Sequence, residues 1–172
     1  MTESTAVIVL GTVSAIFLCG FWFAPNGVLA LRRRAGGSLQ VDVRPAYSPE
    51  TLYQLLDAYG ETGRRAFHAM LLADMVFPAI YGATLYFCGD LLGSAFPRAA
   101  GPALVASCAS VAASAFDYGE NFLLLNVLRH FPSRAQKSAR FAAICTTSKM
   151  IAFGVALAAF LGGLAVAYAT RG

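Results

Sequence analysis

Four long apolar stretches dominate this chain of 172 residues. A helix needs about 20 mostly apolar residues to cross a bilayer, and the stretches at residues 5–31, 66–96, 99–128 and 141–170 meet that length. Only 13% of the residues are charged, whereas a soluble domain carries about a quarter. We therefore expect an all-α polytopic membrane protein, a four-helix transmembrane bundle formed as one domain by residues 1–172. This composition excludes a nucleic-acid-binding domain and a soluble enzyme.

Positive charge is concentrated in the connections on one side of the four spans. The loop 32–65 and the connection after span 3 hold most of the 13 Lys and Arg: Arg32, Arg33, Arg34, Arg44, Arg64, Arg65, Arg129, Arg134, Lys137 and Arg140. The other side has only Arg98 and Arg171. Because Lys and Arg favour cytoplasmic loops, we predict a multi-pass protein with its longer loops in the cytoplasm and both termini non-cytoplasmic.

The loop between spans 1 and 2 contains a helix signal of its own. Ser48 is a typical N-cap, Pro49 suits the first helical position, and Glu50 is an acid in the first turn. Apolar residues follow at helical spacing before Gly60: Leu52, Leu55, Leu56 and Tyr59. This pattern predicts a short amphipathic cytoplasmic helix that ends at Gly60 and caps the bundle or lies on the membrane surface.

Ionisable side chains within a span are costly, and each is a candidate for function. Asp74 lies in span 2, Glu120 in span 3 and Lys149 in span 4, each nine residues from an arginine at the same side of the membrane. At 1.5 Å per residue this places all three roughly 13 Å inside the bilayer, and Asp117 of span 3 roughly 18 Å inside. We therefore expect the four side chains to meet at one level in the bundle interior.

Other polar residues share the faces of these charges. Ser114 and Asn121 lie on the stripe of Asp117 in span 3, Tyr81 shares a face with Asp74, and Thr146 lies beside Lys149. The Pro25-Asn26-Gly27 sequence predicts a turn near the end of span 1 that leaves Asn26 facing inward. We predict catalytic roles for Asp74, Asp117, Glu120 and Lys149, and ligand-binding roles for Tyr81, Asn121, Asn26, Ser114 and Thr146.

The balance of charge favours a functional site over a purely structural one. Three carboxylates and one lysine leave two negative charges if all are ionised, so burial and repulsion should keep one carboxyl protonated or recruit a cation. A protonated carboxyl beside an ionised one is suited to general acid–base catalysis. The alternative is a polar clamp between helices, in which each contact contributes about 0.6–2 kcal/mol.

Cysteines and histidines show no metal-ligand spacing, and we expect neither a metal nor another cofactor. Two patterns of small residues allow close helix packing or a homodimer: Gly89/Gly93 and Gly154/Ala158/Gly162.

The chain resembles the EXPERA family, which includes the emopamil-binding sterol isomerases and sigma-2-receptor-like proteins. The segment from Asp74 to Pro78 is similar to the acid-led start of that family's second span, and the segment from Phe116 to Phe122 is similar to an acid-bearing part of its third. The resemblance implies an intramembrane site in which Asp74 and Glu120 act as acid and base on a sterol double bond. Segments around Gly60 and Asp117 are equally similar to small bacterial four-span proteins of no known activity.

Three functions follow as hypotheses. The first is an intramembrane site for a hydrophobic sterol- or isoprenoid-like ligand, with isomerase or cyclase chemistry by carboxylates. The second is a small proton- or cation-coupled carrier, which would require an oligomer because four spans without inverted repeats are too few. The third is an accessory membrane subunit held by the polar clamp. The expected partner is a membrane lipid or hydrophobic small molecule, and no nucleic acid.

Overall fold

The computed structural model describes residues 2–170, which are mostly helical and contain no strand. Six helices follow one another along these residues: α1 (Glu3–Phe23), α2 (Val28–Arg34), α3 (Pro49–Asp74), α4 (Phe77–Ala95), α5 (Ala100–His130) and α6 (Gln136–Ala169). Short 3-10 turns occupy Val41–Val43 and Pro97–Ala99. Within the described residues, four helical stretches are long and apolar enough to cross a membrane: Glu3–Arg34, Pro49–Ala95, Pro97–His130 and Gln136–Ala169.

The multi-pass membrane architecture is thus confirmed, whereas the side on which each terminus lies stays a prediction. Arg171, used in that prediction, falls outside the described residues. We call the end of the bundle that carries Arg32, Arg64, Arg129 and Arg140 the basic end.

Helix α5 lies at the centre of the bundle. It packs along α6 and α4, and α1 packs against α4. The ring of Phe17 stacks on Phe77 of α4, and the hydroxyl groups of Ser14 and Thr84 lie 3.3 Å apart. Many large apolar side chains point away from the protein, as the hydrocarbon of a bilayer requires; they include Ile8, Ile16, Leu104, Val111, Ile151 and Leu161.

Two predicted spans are broken by identifiable residues. The turn predicted at Pro25-Asn26-Gly27 separates α1 from α2. Span 2 breaks directly after Asp74, where Met75 and Val76 separate α3 from α4. Pro78 explains this second break, because proline has no N–H to donate to the carbonyl four residues earlier and its ring clashes there. The break places Asp74 at a helix end within the bundle.

The structure does not show a separate short amphipathic helix before span 2. The Ser48 cap is present, with its hydroxyl accepting a hydrogen bond from the Thr51 N–H at 3.2 Å. The first helical segment of α3 is interrupted at Gly60 as expected, but no loop follows, because a second segment continues directly to Asp74. Gly60 introduces a kink, with φ of 60° and ψ of −175°. Glycine tolerates this positive φ because it has no Cβ.

A compact apolar core closes the basic end of the bundle. It brings together α2, both halves of α3 and the adjoining ends of α5 and α6, with these side chains buried: Leu31, Leu52, Leu56, Phe67, Leu71, Leu124 and Val127. Residues 38–47, here called the strap, run into this core, and Gln40 and Val41 are fully buried. The strap is held on α6 by the Thr147 hydroxyl, which donates to the Pro45 carbonyl at 3.0 Å.

The two patterns of small residues behave differently. Gly89 of α4 packs tightly on α5: a Cβ added there would clash with the Ser107 hydroxyl and lie 2.9 Å from the Ala103 carbonyl oxygen. A Cβ added at Gly154 or Gly162 of α6 would meet no atom within 4 Å. The pattern that contains Gly89 therefore serves helix packing in this chain. Gly154 and Gly162 of α6 make no such close contact with another helix of the described part of the chain.

We expect Gly89→Ala to destabilise the bundle, because the carbonyl of Ala103 belongs to a helix backbone and cannot move aside freely. Overpacking of this kind costs about 1–3 kcal/mol. Gly154→Ala is the matched control, since its added methyl group meets open space. Thermal unfolding of both variants in one detergent measures the difference, and equal midpoints would contradict the close α4–α5 approach.

Candidate functional site

Lys149 forms the centre of a polar cluster within the bundle. Its Nζ lies 3.0 Å from Asp117 Oδ1 and 2.5 Å from Glu120 Oε2. The Glu120 side chain is fully buried and that of Asp117 is 6% exposed. The two carboxylates are three residues apart on α5, so they share one face of that helix and can hold one ammonium group between them. This ion pair joins α5 to α6.

Neutral side chains hold the remaining carboxylate oxygens. The Tyr81 hydroxyl of α4 donates to Asp117 Oδ2 at 3.1 Å, and the Asn121 amide of α5 donates to Asp74 Oδ2 at 2.8 Å. The Thr146 hydroxyl of α6 donates to Glu120 Oε1 at 2.5 Å. Residues from α3, α4, α5 and α6 thus form one polar layer. The charged side chains predicted to share a level lie in this layer, either in direct contact or beside a residue that is hydrogen-bonded to the next.

The strap adds two residues that sequence reasoning did not assign to the site. The Tyr47 hydroxyl lies 3.5 Å from the Thr146 hydroxyl. Asp42 is half-buried as a residue, but its Oδ1 is enclosed and has no hydrogen-bond partner within residues 2–170. Burial and, to a smaller extent, the nearby Asp117 raise the pKa of Asp42 to about 6 despite the attraction of Lys149.

Some of these polar residues line a small cavity of about 110 Å³. Its polar wall is formed by Asp42, Asp74, Asp117 and Lys149, and its apolar wall includes Phe21 and Trp22. Glu120 is not part of the lining, since it lies behind Lys149 in the ion pair. Glu120 therefore positions the lysine, whereas three other carboxyl groups face the cavity.

An apolar groove of about 440 Å³ adjoins the cavity. It runs between the end of α1 and the second half of α3, with small or apolar residues on both sides, including Gly20, Ala24, Ala66, Ala69 and Ala73. Phe21 and Met70 line both the groove and the cavity. An apolar space thus lies directly beside a carboxylate-lined one.

Two of the predicted ligand-binding residues lie outside the polar layer. The Ser114 hydroxyl donates to the Pro78 carbonyl at 2.8 Å and packs against Gly82, so it serves the contact of α5 with α4. Asn26 does not face inward as expected: it is exposed and lines the apolar groove. The turn that contains Asn26 directs its side chain away from the bundle interior.

A weak signal for Asp42 is present in the sequence. Val41 and Val43 flank this acid within a connection that is otherwise rich in polar residues and glycine. Apolar neighbours on both sides indicate a segment that returns to the core, but they do not indicate which charge it meets. Within residues 2–170, His, Cys, Asp and Glu form no group of three that could hold a metal ion.

Comparisons with known proteins found no match to this chain among protein-family models, curated proteins or solved structures. The resemblance to the EXPERA family therefore stays a prediction from the residues themselves.

We expect Lys149→Met to destabilise the fold strongly, because it leaves Asp117 and Glu120 buried without a counter-charge. Removal of one partner of a buried ion pair costs about 3–5 kcal/mol. The double variant Lys149→Met/Glu120→Gln should lose less than the sum of the two single variants. A double-mutant cycle of thermal or chemical unfolding measures this coupling, and purely additive losses would contradict the ion pair.

We expect Asp42→Asn to change the pH dependence of stability. The raised pKa means that the folded state holds an extra proton between pH 3.8 and about 6, so wild-type stability falls as the pH rises through that window. Above it the variant should be more stable than the wild type by about 2–3 kcal/mol, and near pH 4 the two should converge. Unfolding measured from pH 4 to 8 tests this, with Asp57→Asn on the exposed surface of α3 as the control. A constant difference across that range would contradict the burial of Asp42.

Proposed function

We propose that this membrane protein binds a hydrophobic, sterol- or isoprenoid-like molecule. The apolar body of the ligand would occupy the groove between α1 and α3, and one polar or electron-rich end would enter the cavity. The observation that carries this proposal is the shared lining, because Phe21 and Met70 border both spaces. The groove volume of about 440 Å³ lies within the range of small-molecule pockets, about 300–1,000 Å³.

The excess of carboxyl groups over lysines in the cavity supports binding of a ligand whose polar end is positive or develops positive charge during reaction. Lys149 is already bound by Asp117 and Glu120, so its charge is compensated within the cluster. Asp74 is held by the Asn121 amide and not by an ion pair in the described part of the chain. Asp74 and Asp42 are therefore carboxyl groups that no cation of the cluster contacts, and each adds negative charge to the cavity once it has lost its proton.

The chemistry we propose for this site is the shift of a carbon–carbon double bond. The carboxyl group of Asp74, in its protonated form, would donate its proton to one alkene carbon. The neighbouring Asp117 carboxylate would stabilise the resulting carbocation. Loss of a proton from an adjacent carbon to a cavity carboxylate would restore a double bond at a new position, so that no atom is gained or lost. Tyr81 and Asn121 would orient the carboxylates, and Glu120 would position Lys149.

Matched tryptophan variants test the groove. Ala69 is exposed and lines the groove on α3, whereas Ala79 is exposed on α4 and does not line it. We expect a ligand near 100-fold its Kd to raise the melting temperature of the wild type by about 5–10 °C. Ala69→Trp should abolish that shift by filling the groove, and Ala79→Trp should retain it. The measurement is thermal unfolding of purified protein against a panel of sterols and isoprenoid alcohols.

Asp74→Asn separates binding from chemistry in the same experiment. It keeps the size of the side chain but cannot donate a carboxyl proton, so turnover followed by mass spectrometry of the products should be lost in a folded variant. If no member of the panel stabilises the wild type, or if the two tryptophan variants behave alike, the proposal is wrong. The polar layer is then an interhelical clamp, which favours an accessory subunit.

A further inference from the structure

A second groove, distinct from the site above, lies at the basic end of the bundle. It has a volume of about 530 Å³ and runs between α3, just past its kink at Gly60, and the end of α5. One wall carries Arg64, Arg65 and His68 together with one acid, Glu61, and the other is formed by Leu128, Phe131 and Pro132. We call it the arginine groove. Its walls thus offer nitrogen donors on one side and apolar surface on the other.

Arg64 is held in place by the protein itself. Its Nη1 donates to the Leu56 carbonyl at 3.0 Å, and its guanidinium carbon lies 4.3 Å above the Phe131 ring. The Gly60 kink lies between Arg64 and this carbonyl, so the contact depends on the bend of α3. A guanidinium has five N–H donors, and the Leu56 carbonyl accepts from one of its nitrogens. The arginine is therefore fixed in position with donors left for a ligand.

Arg65 and His68 are exposed beside it. The imidazole of His68 provides an N–H donor in either tautomer. Arg65 forms an exposed salt bridge with Glu61, one turn earlier on α3. An exposed pair of this kind contributes little to stability, about 0–1 kcal/mol, so Arg65 can turn to a stronger anionic partner at small cost.

The position of the groove matches the boundary between lipid headgroups and hydrocarbon. His68 lies six residues before Asp74 on α3, roughly 9 Å nearer the basic end along the helix axis. Leu72, two helical turns after Arg65 and on the same face, is 51% exposed, and Phe122 on α5 is 61% exposed. With increasing distance from the basic end, the exposed side chains thus change from arginine and histidine to apolar residues.

We propose that the arginine groove binds the phosphate group of an anionic phospholipid. The phosphate oxygens would accept hydrogen bonds from Arg64, Arg65 and His68, since a guanidinium matches phosphate in charge and geometry. The start of the acyl chains would lie on Leu128 and Phe131, and their continuation on the exposed apolar surface of α3 and α5. A free phosphate ion would make the polar contacts but would leave the apolar wall without a partner.

Native mass spectrometry of the purified full chain in detergent tests the proposal. The probes are dioleoylphosphatidylglycerol, dioleoylphosphatidylcholine and inorganic phosphate. We expect the anionic lipid to bind about tenfold or more tightly than the zwitterionic lipid, with inorganic phosphate weaker than both. Equal retention of the two lipids, or phosphate binding as tight as that of the anionic lipid, would overturn the proposal.

Three variants at exposed positions locate the site. Arg65→Gln/His68→Gln should weaken binding of the anionic lipid about tenfold, because charge-assisted hydrogen bonds are lost. Glu61→Gln should strengthen it, since it removes a negative charge and releases Arg65. Arg140→Gln, which removes one positive charge from α6 outside the groove, should bind like the wild type. If Arg140→Gln weakens binding as much as the double variant, only the general charge of the basic end matters and the specific site is wrong.

This inference is independent of the proposed sterol- or isoprenoid-like ligand, because the two sites have no lining residue in common.

Discussion

The ion pair of Lys149 with Asp117 and Glu120 is the contact on which the polar layer depends. A charged side chain in an apolar environment costs several kcal/mol unless it is paired and hydrogen-bonded. The lysine of α6 must therefore face the two acids of α5, and this fixes the rotation of the two helices about their axes. Once Asp117 and Glu120 are engaged, Asp74 finds its partner in the Asn121 amide. The ion pair thus determines which carboxyl groups remain directed at the cavity.

The cavity and the apolar groove beside the polar layer lie next to breaks in the helices. Pro78 ends α3 at Asp74 and interrupts span 2 at the level of the charges, while the groove beside Phe21 lies next to the turn after α1. The strap then closes the basic side of the layer with Asp42 and Tyr47. An acidic cavity enclosed toward the basic end and bordered by an apolar groove is suited to a hydrophobic molecule with one polar end.

Much of the candidate site could be predicted from the sequence, for a simple reason. Nine-residue spacings from the boundary arginines place Asp74, Glu120 and Lys149 at one level, and helical periodicity puts Asn121 and Asp117 on one face. Both signals are local. The same reasoning did not predict the direction of the Asn26 side chain or the partner of the Ser114 hydroxyl, because the path of a turn and the partner of a hydroxyl depend on neighbouring helices. It placed the interruption at Gly60 correctly but not the second helical segment that follows directly, since a glycine before a loop and a glycine between two helical segments look alike in sequence.

The sequence by itself determined the membrane spans and the common level of the charges, because hydropathy and the rise of a helix require no knowledge of neighbouring elements. Only the tertiary structure decided which carboxylates Lys149 joins, which of two small-residue patterns packs on a partner helix, and how Asp42 reaches the layer from a connection outside the spans. Those outcomes depend on how the helices are rotated about their axes and on the course of one loop within the chain of 172 residues. Both are set by the packing of distant segments, and no local pattern specifies them.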